Sequence, residues 1–330
     1  MQKSFIRKPI SVLLSILMVL SVFGGMTFTA SAEDQMETIS FRNEHEVRTI
    51  SGTHFTITPH ADGGIYADGC WDFDGDYPDD YAELTAEEIV HHGITFQPWR
   101  STDSLPKNGN YYLTGDVAVA NRTVPNGTLN LDLNGYTVTM SGSDAIFAIG
   151  DRNDDVLSLF DNKGTGKLTG GKGYEANGGI VYMIAGTFNM YGGTITNSAA
   201  DFGGGVYIKG GTFNMYDGAI TGCKAETDDG GAVYVQSGAF NMYGGTISNC
   251  TAVWYGGGVC VDGGSFDMYD GTISGCSSNY GGGVFTYNGG SFRMHDGTIT
   301  GCKGNNMSGG VTVFSGGSFV MDDGVITGCN

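Results

Sequence analysis

Gly203-Gly-Gly-Val-Tyr-Ile-Lys-Gly-Gly-Thr-Phe-Asn-Met-Tyr-Asp-Gly-Ala-Ile-Thr-Gly-Cys223 decides the fold, because near-copies of it fill the last half of the 330-residue chain. Its anchor is the phenylalanine. Phe188, Phe213, Phe240, Phe266, Phe292 and Phe319 follow one another at intervals of 25, 27, 26, 26 and 27 residues, and each is followed two places on by Met190, Met215, Met242, Met268, Met294 or Met321. A fixed period of this size marks a solenoid. No repeat of that kind buries its own apolar face, so neighbours supply one another's core and the chain grows as a rod with long ladder-like surfaces. Function then belongs to those surfaces rather than to one pocket.

Within the quoted block the side chains alternate. Val206 and Ile208 point one way and Tyr207 the other; Phe213 and Met215 point one way, Asn214 and Tyr216 the other; Ile220 opens a further short strand. The expectation is an all-β chain in which three short strands per ~26-residue block, bounded by glycine, make one coil of a parallel β-helix. At about 4.8 Å between coils, roughly eight or nine coils give a rod on the order of 40 Å long.

Working outward from the repeat, residues 178–330 read as six regular coils and residues 105–177 as degenerate opening coils, with alternating runs such as Leu129-Asn-Leu-Asp-Leu133 before Asn134-Gly135. Residues 33–104 carry no period and read as an irregular, acidic N-terminal segment. Residues 1–32 combine Lys3, Arg7 and Lys8 with an apolar stretch from Ile10 to Phe23 and then Thr29-Ala-Ser-Ala32, the three parts of a secretory signal peptide. The apolar stretch is short for a membrane span and is not repeated later, so the mature chain is expected to be secreted or extracellular, associated with a cell surface, and without a transmembrane span. The chain ends within the repeat at Thr327-Gly-Cys-Asn330, which reads as a fragment or as an edge that a partner covers.

The signal holds three of the 16 basic residues and none of the 35 acidic ones, so the mature charge is 13 minus 35, or −22. Nucleic acid is excluded as a partner at that charge. Fifty-seven glycines against six prolines suit a repeat of tight turns, and glycine does not recur every third residue as collagen demands.

The pattern resembles right-handed parallel β-helix repeats in secreted and cell-surface proteins of Gram-positive bacteria, of the adhesin-like or pectate-lyase-like kind. The residues that carry the resemblance are Gly203-Gly-Gly-Val-Tyr-Ile208, Gly210-Gly-Thr-Phe-Asn-Met-Tyr-Asp-Gly-Ala-Ile-Thr-Gly222, and upstream Leu113-Thr-Gly-Asp-Val117 with Leu131-Asp-Leu-Asn-Gly135. The resemblance implies a right-handed coil and spans about residues 105–330. It is poor evidence for activity, because such helices serve as enzymes, binding proteins and passive stalks. Related repeats often end in Gly-Asn where this chain has Gly-Cys, which implies that an inward asparagine ladder is exchanged here for thiols.

Several columns are candidates for chemistry. Tyr191, Tyr216, Tyr243 and Tyr269, continued by His295, are read as an outward stack beside Asn189, Asn214, Asn241 and Asp267; Tyr182, Tyr207, Tyr234, Cys260 and Phe285 are read as a second outward column. Exposed rings beside amides suit stacking on sugar rings and hydrogen bonds to their hydroxyls, while the plainer reading is that tyrosine suits a pleated surface and steadies the coils. Asp217, Asp270, Asp296 and Asp323 suit a calcium ion, a general-acid pair or Asp-Gly turns, and Gly192 and Gly244 interrupt that column in favour of turns. Asp72, Asp74, Asp76, Asp80 and Glu83 have the oxygen-ligand spacing of a calcium loop, but Tyr77 stands where that loop demands glycine. Calcium is thus the one cofactor the sequence suggests. Cys223, Cys250, Cys276, Cys302 and Cys329, with Ser198 in the first block, form one column whose outcomes are a buried thiol stack, bridges between adjacent coils, or, less suited to a straight row, a metal.

The expected function is an adhesin-like interaction or structural rod that takes an extracellular glycan or a surface protein along its ladder faces. The rivals are a polysaccharide lyase or glycoside hydrolase of the same fold, and a passive spacer. No coil gains a cluster of Asp, Arg, His or Lys in the sequence, and Arg293 near His295 is the lone outward basic residue of the stack, so no catalytic residue is assigned.

Overall fold

The computed structural model describes residues 92–150, 154–173, 175 and 177–330, together with strand backbone at six places between residues 27 and 91. The apolar stretch from Ile10 to Phe23, Cys70 and the acidic window from Asp72 to Glu83 lie outside the described residues. The chain divides into two units, residues 1–98 and residues 99–330. In the first, the strands pair antiparallel with their neighbours in sequence: Thr27–Glu33 with Met36–Arg42, Met36–Arg42 with Val47–Gly52, and Thr56–Pro59 with Ile65–Asp68.

The second unit is a parallel β-solenoid of about eight turns, with no helix among its described residues. Its phenylalanine sheet runs from Gly109–Leu113 through Thr212–Met215 to Ser318–Met321. An isoleucine sheet runs from Val117–Val119 to Val325–Thr327, and a valine sheet from Phe147–Ile149 to Val311–Val313. The sequence reading has three strands per coil. The structure adds a fourth ladder of two-residue strands, from Ala199–Ala200 to Lys303–Gly304, directly after the serine and cysteine column. Those strands are too short to show a period of two, and only their pairing with the coils on either side reveals them.

Equivalent residues lie directly over one another. Phe188 pairs with Phe213, Phe213 with Phe240, and so on in register to Phe319. The rings stack 4.7 Å apart between Phe188 and Phe213 and 4.9 Å apart between Phe292 and Phe319, nearly parallel. The opening coils keep the same column with smaller residues, since Leu129 pairs with Leu157 and Leu157 with Phe188. These side chains, with the methionines, the inward valines and isoleucines and the thiols from Cys223 to Cys302, form one continuous buried core. Each fully buried phenylalanine contributes about 1.5–3 kcal/mol by leaving water.

One contact recurs along this core from coil to coil. The glycine of the turn after the phenylalanine strand, which follows an aspartate in four coils and Gly244 in another, has positive φ, and a Cβ there would strike the methionine methyl of the coil before it: Gly218 against Met190, Gly245 against Met215, Gly271 against Met242, Gly297 against Met268 and Gly324 against Met294, all at 2.6–2.8 Å. Glycine is needed twice over, for its left-handed backbone and for the room it leaves.

Candidate functional site

The phenylalanine strand ends at its methionine, and the next residue turns outward at the corner. This places Tyr191, Tyr216, Tyr243 and Tyr269 in one column whose rings lie flat on each other at 4.7, 5.0 and 4.8 Å. Phe160 extends the stack at one end, 4.8 Å from Tyr191, and His295 at the other, 4.4 Å from Tyr269. Tyr216, Tyr243 and Tyr269 are each 40% exposed. Because each ring face is covered by the next ring, solvent meets the ring edges and the hydroxyls. A sugar therefore cannot lie flat on these rings in the way the sequence suggests; it can only meet the rank of phenols edge-on. Burial raises the pKa of Tyr216 and Tyr269, with help from Tyr191 and Tyr243 at the first and from Asp267 and Tyr243 at the second, so both stay hydrogen-bond donors at neutral pH.

The neighbouring asparagines are already engaged. Asn214 donates its amide to Asn189 at 2.9 Å and Asn241 donates to Asn214 at 2.9 Å, forming a side-chain ladder that ties coil to coil. Asn189 in turn lies 3.5 Å from the Ser158 hydroxyl. The column then changes character, with Asp267 and Arg293 in register beyond Asn241. Here Arg293 grips Asp322 with two hydrogen bonds of 2.7 and 3.1 Å, and the His295 ring nitrogens lie 3.3 Å from Asp267 and 3.1 Å from Asp322. The guanidinium lowers the pKa of Asp322. The stack thus passes from neutral phenols to a charged end.

The second column is where the structure departs from the sequence reading. Tyr182, Tyr207, Tyr234, Cys260 and Phe285 do face away from the main core, but they are buried, Tyr207 to 7% exposure and Tyr234 to 3%. They form a second apolar strip, against which Phe202, Tyr255, Tyr280 and Tyr287 pack. The reason is the segment that follows the short fourth ladder: it carries an aromatic residue just before the glycine run and lays it over the strip. Tyr207 donates its hydroxyl to Gln236 at 2.8 Å, and burial pushes its pKa up to about 12. Tyr207 and Tyr234 therefore offer no free ring to a ligand.

The same strip holds a polar group that the sequence reading missed. Asp229 and Asp262 are brought together through Tyr234 and Tyr287, although no single coil contains the cluster. The signal was present in the column Phe202, Asp229, Tyr255, Tyr280, where one acid stands among aromatic residues. It is visible only once the register between coils is fixed.

The remaining candidates resolve into structure. Asp217, Asp270, Asp296 and Asp323 each accept the backbone N–H of the following glycine at 2.6–2.8 Å, which is the turn role of an Asp-Gly pair. Among the described residues no group of three or more His, Cys, Asp or Glu side chains is placed to hold a metal ion. Cys223, Cys250, Cys276 and Cys302 are free, buried thiols, Cys329 is partly buried, and Ser198 donates to the Gly204 carbonyl at 2.6 Å in the first block. Cys260 lies apart in the outer strip, where burial raises its pKa. With an aromatic disulfide reagent, Cys223, Cys250, Cys260, Cys276 and Cys302 are expected to stay unreactive in the native chain and to react once it is denatured. Fast native labelling of these five would contradict the packing.

No family model, curated protein or solved structure matches the chain. The functional reading therefore rests on the geometry of the solenoid faces.

Proposed function

We propose that this chain is a secreted, adhesin-like solenoid with a right-handed coil, and that it binds an extended extracellular glycan along the corner formed by Tyr191, Tyr216, Tyr243 and Tyr269. One observation carries the reading. An uninterrupted ring stack from Phe160 to His295 presents phenol groups at a spacing set by the coils, with Tyr216, Tyr243 and Tyr269 all equally exposed. A rank of aligned donors and acceptors on a rigid rod suits a polymer whose hydroxyls also repeat, because several weak contacts are made without ordering the protein further. Phenols combine apolar edges with a hydrogen-bonding tip, as sugars do. The apolar stretch and small-residue site of residues 1–32 support export, and the glycine-rich repeat supports kinship with surface β-helix proteins.

The test separates hydroxyl from ring. Replacing Tyr216, Tyr243 and Tyr269 together by serine is expected to abolish binding on a glycan array while the β-sheet circular dichroism stays nearly unchanged. Replacing the same three by phenylalanine keeps the stack and removes the hydroxyls, and is expected to weaken binding at least tenfold if the contact is edge-on as the geometry requires. Full binding by both variants would remove this corner from the reading.

A further inference from the structure

Outside the tyrosine corner, four side chains from three consecutive coils form one hydrogen-bonded line over the outer strip. The Tyr234 hydroxyl donates to Asp262 Oδ2 at 2.7 Å, the Tyr234 and Tyr287 hydroxyl oxygens are 3.3 Å apart, and the Tyr287 oxygen is 3.4 Å from Asp229 Oδ2. The other carboxylate oxygens are taken. Asp262 Oδ1 accepts the Asn288 amide at 2.9 Å, and Asp229 Oδ1 accepts the Tyr255 backbone N–H at 3.0 Å.

The hydrogens in this line can be counted. It contains three oxygen–oxygen contacts, and the two phenols bring one proton each. With both carboxylates ionised, one contact has no hydrogen and two oxygens face each other bare. With a single added proton on Asp229 Oδ2, every contact is filled in one direction: Asp229 donates to Tyr287, Tyr287 to Tyr234, and Tyr234 to Asp262. The proton belongs at the Asp229 end because Asp229 is 4% exposed, whereas Asp262 is only half-buried and already holds an amide and a short phenol hydrogen bond.

We propose that Asp229, Tyr287, Tyr234 and Asp262 form a one-proton latch that is complete only when Asp229 is neutral, fastening the segment around Asp228 and Asp229 over the aromatic strip in acid and loosening it in alkali. The latch controls a cover because residues 228–229 are a junction. The Asp228 carbonyl accepts the N–H groups of Val253 and Trp254, and the Asp229 carbonyl accepts that of Gly203, so three coils depend on this point.

The titratable groups around Asp229 are Asp228, Asp262, the phenols of Tyr255 and Tyr287, with Tyr234 beyond Tyr287, and the buried Cys260 thiol; none of these is basic. Burial raises the Asp229 carboxyl from its ordinary 3.8 to about 7, opposed by the Tyr255 N–H and the Tyr287 hydroxyl and reinforced by Asp228 and Asp262. Asp228 is itself pushed up by burial and by Asp201. The sign follows. Between about 4 and about 7 the folded chain holds a proton that the unfolded chain has lost, so this group's stabilisation is complete below about 4, declines as pH rises to about 7 and is flat beyond.

Asp229→Asn tests the latch directly, because the amide keeps the acceptor for Tyr255 and puts hydrogens permanently on the atom that faces Tyr287. The difference in Tm between variant and parent, measured from pH 4 to pH 9, is expected to be small in acid, to grow in favour of the variant through pH 7, and then to level off. A difference independent of pH would overturn the proposal. Difference infrared spectra of the folded parent, which need no unfolding step, are expected to show a neutral carboxylic acid carbonyl that disappears with a midpoint near 7 and is missing from Asp229→Asn. Absence of that band in the parent at pH 6 would overturn it equally.

Discussion

Phe240→Ala is expected to lower stability by about 3–5 kcal/mol, read as a shift of the urea midpoint at unchanged slope. Phe240 has no exposed surface and lies between Phe213 at 4.8 Å and Phe266 at 4.7 Å. Its removal leaves a hole that neither neighbour can fill, because each ring is held in register by its own strand pairing. The loss belongs to the centre of the array. The same change at Phe319, which is only partly buried in the last coil, is expected to cost clearly less. Equal losses at the two positions, or a loss under about 1 kcal/mol at Phe240, would contradict a packed ladder.

Gly256→Ala is expected to be comparably damaging, for a reason that lies in the backbone. Gly256 has φ of +60°, and an added Cβ would lie 2.3 Å from the Val259 carbonyl oxygen and 2.7 Å from the Cys260 nitrogen, both main-chain atoms. The left-handed conformation costs an alanine about 1–2 kcal/mol; the clash comes on top, because main-chain atoms in a paired strand cannot step aside. Gly289→Ala separates the two contributions. Gly289 has φ of +84° and nothing within 4 Å of the added carbon, so it should show the conformational cost alone. If the two alanine variants unfold at the same urea concentration, steric exclusion at Gly256 plays no part.

The sequence made the coil legible because its period survives in residues that face the core. Phe, Met, Ile and Cys recur where a neighbour above and below demands the same shape, so spacing in the chain maps onto columns in space. Other features were hidden for definite physical reasons. A two-residue strand such as Lys224–Ala225 is too short to alternate. Tyr207 and Tyr234 alternate away from the main core as a period of two requires, and only the paths of the loops carrying Phe202 and Tyr255 show that they are covered. Tyr216 alternates outward and is exposed, yet the availability of its faces depends on the rings above and below it, which a single block of sequence cannot express. Asp229 and Asp262 are 33 residues apart, the difference of their positions, and meet only because one coil closes between them.

The methionine of each coil fits beneath the turn glycine of the following one, and every regular coil carries both halves of that fitting. Cutting out one whole repeat, or copying one, brings an identical half against an identical half at the new junction. A longer or shorter rod built from these coils would keep the same interface at every junction.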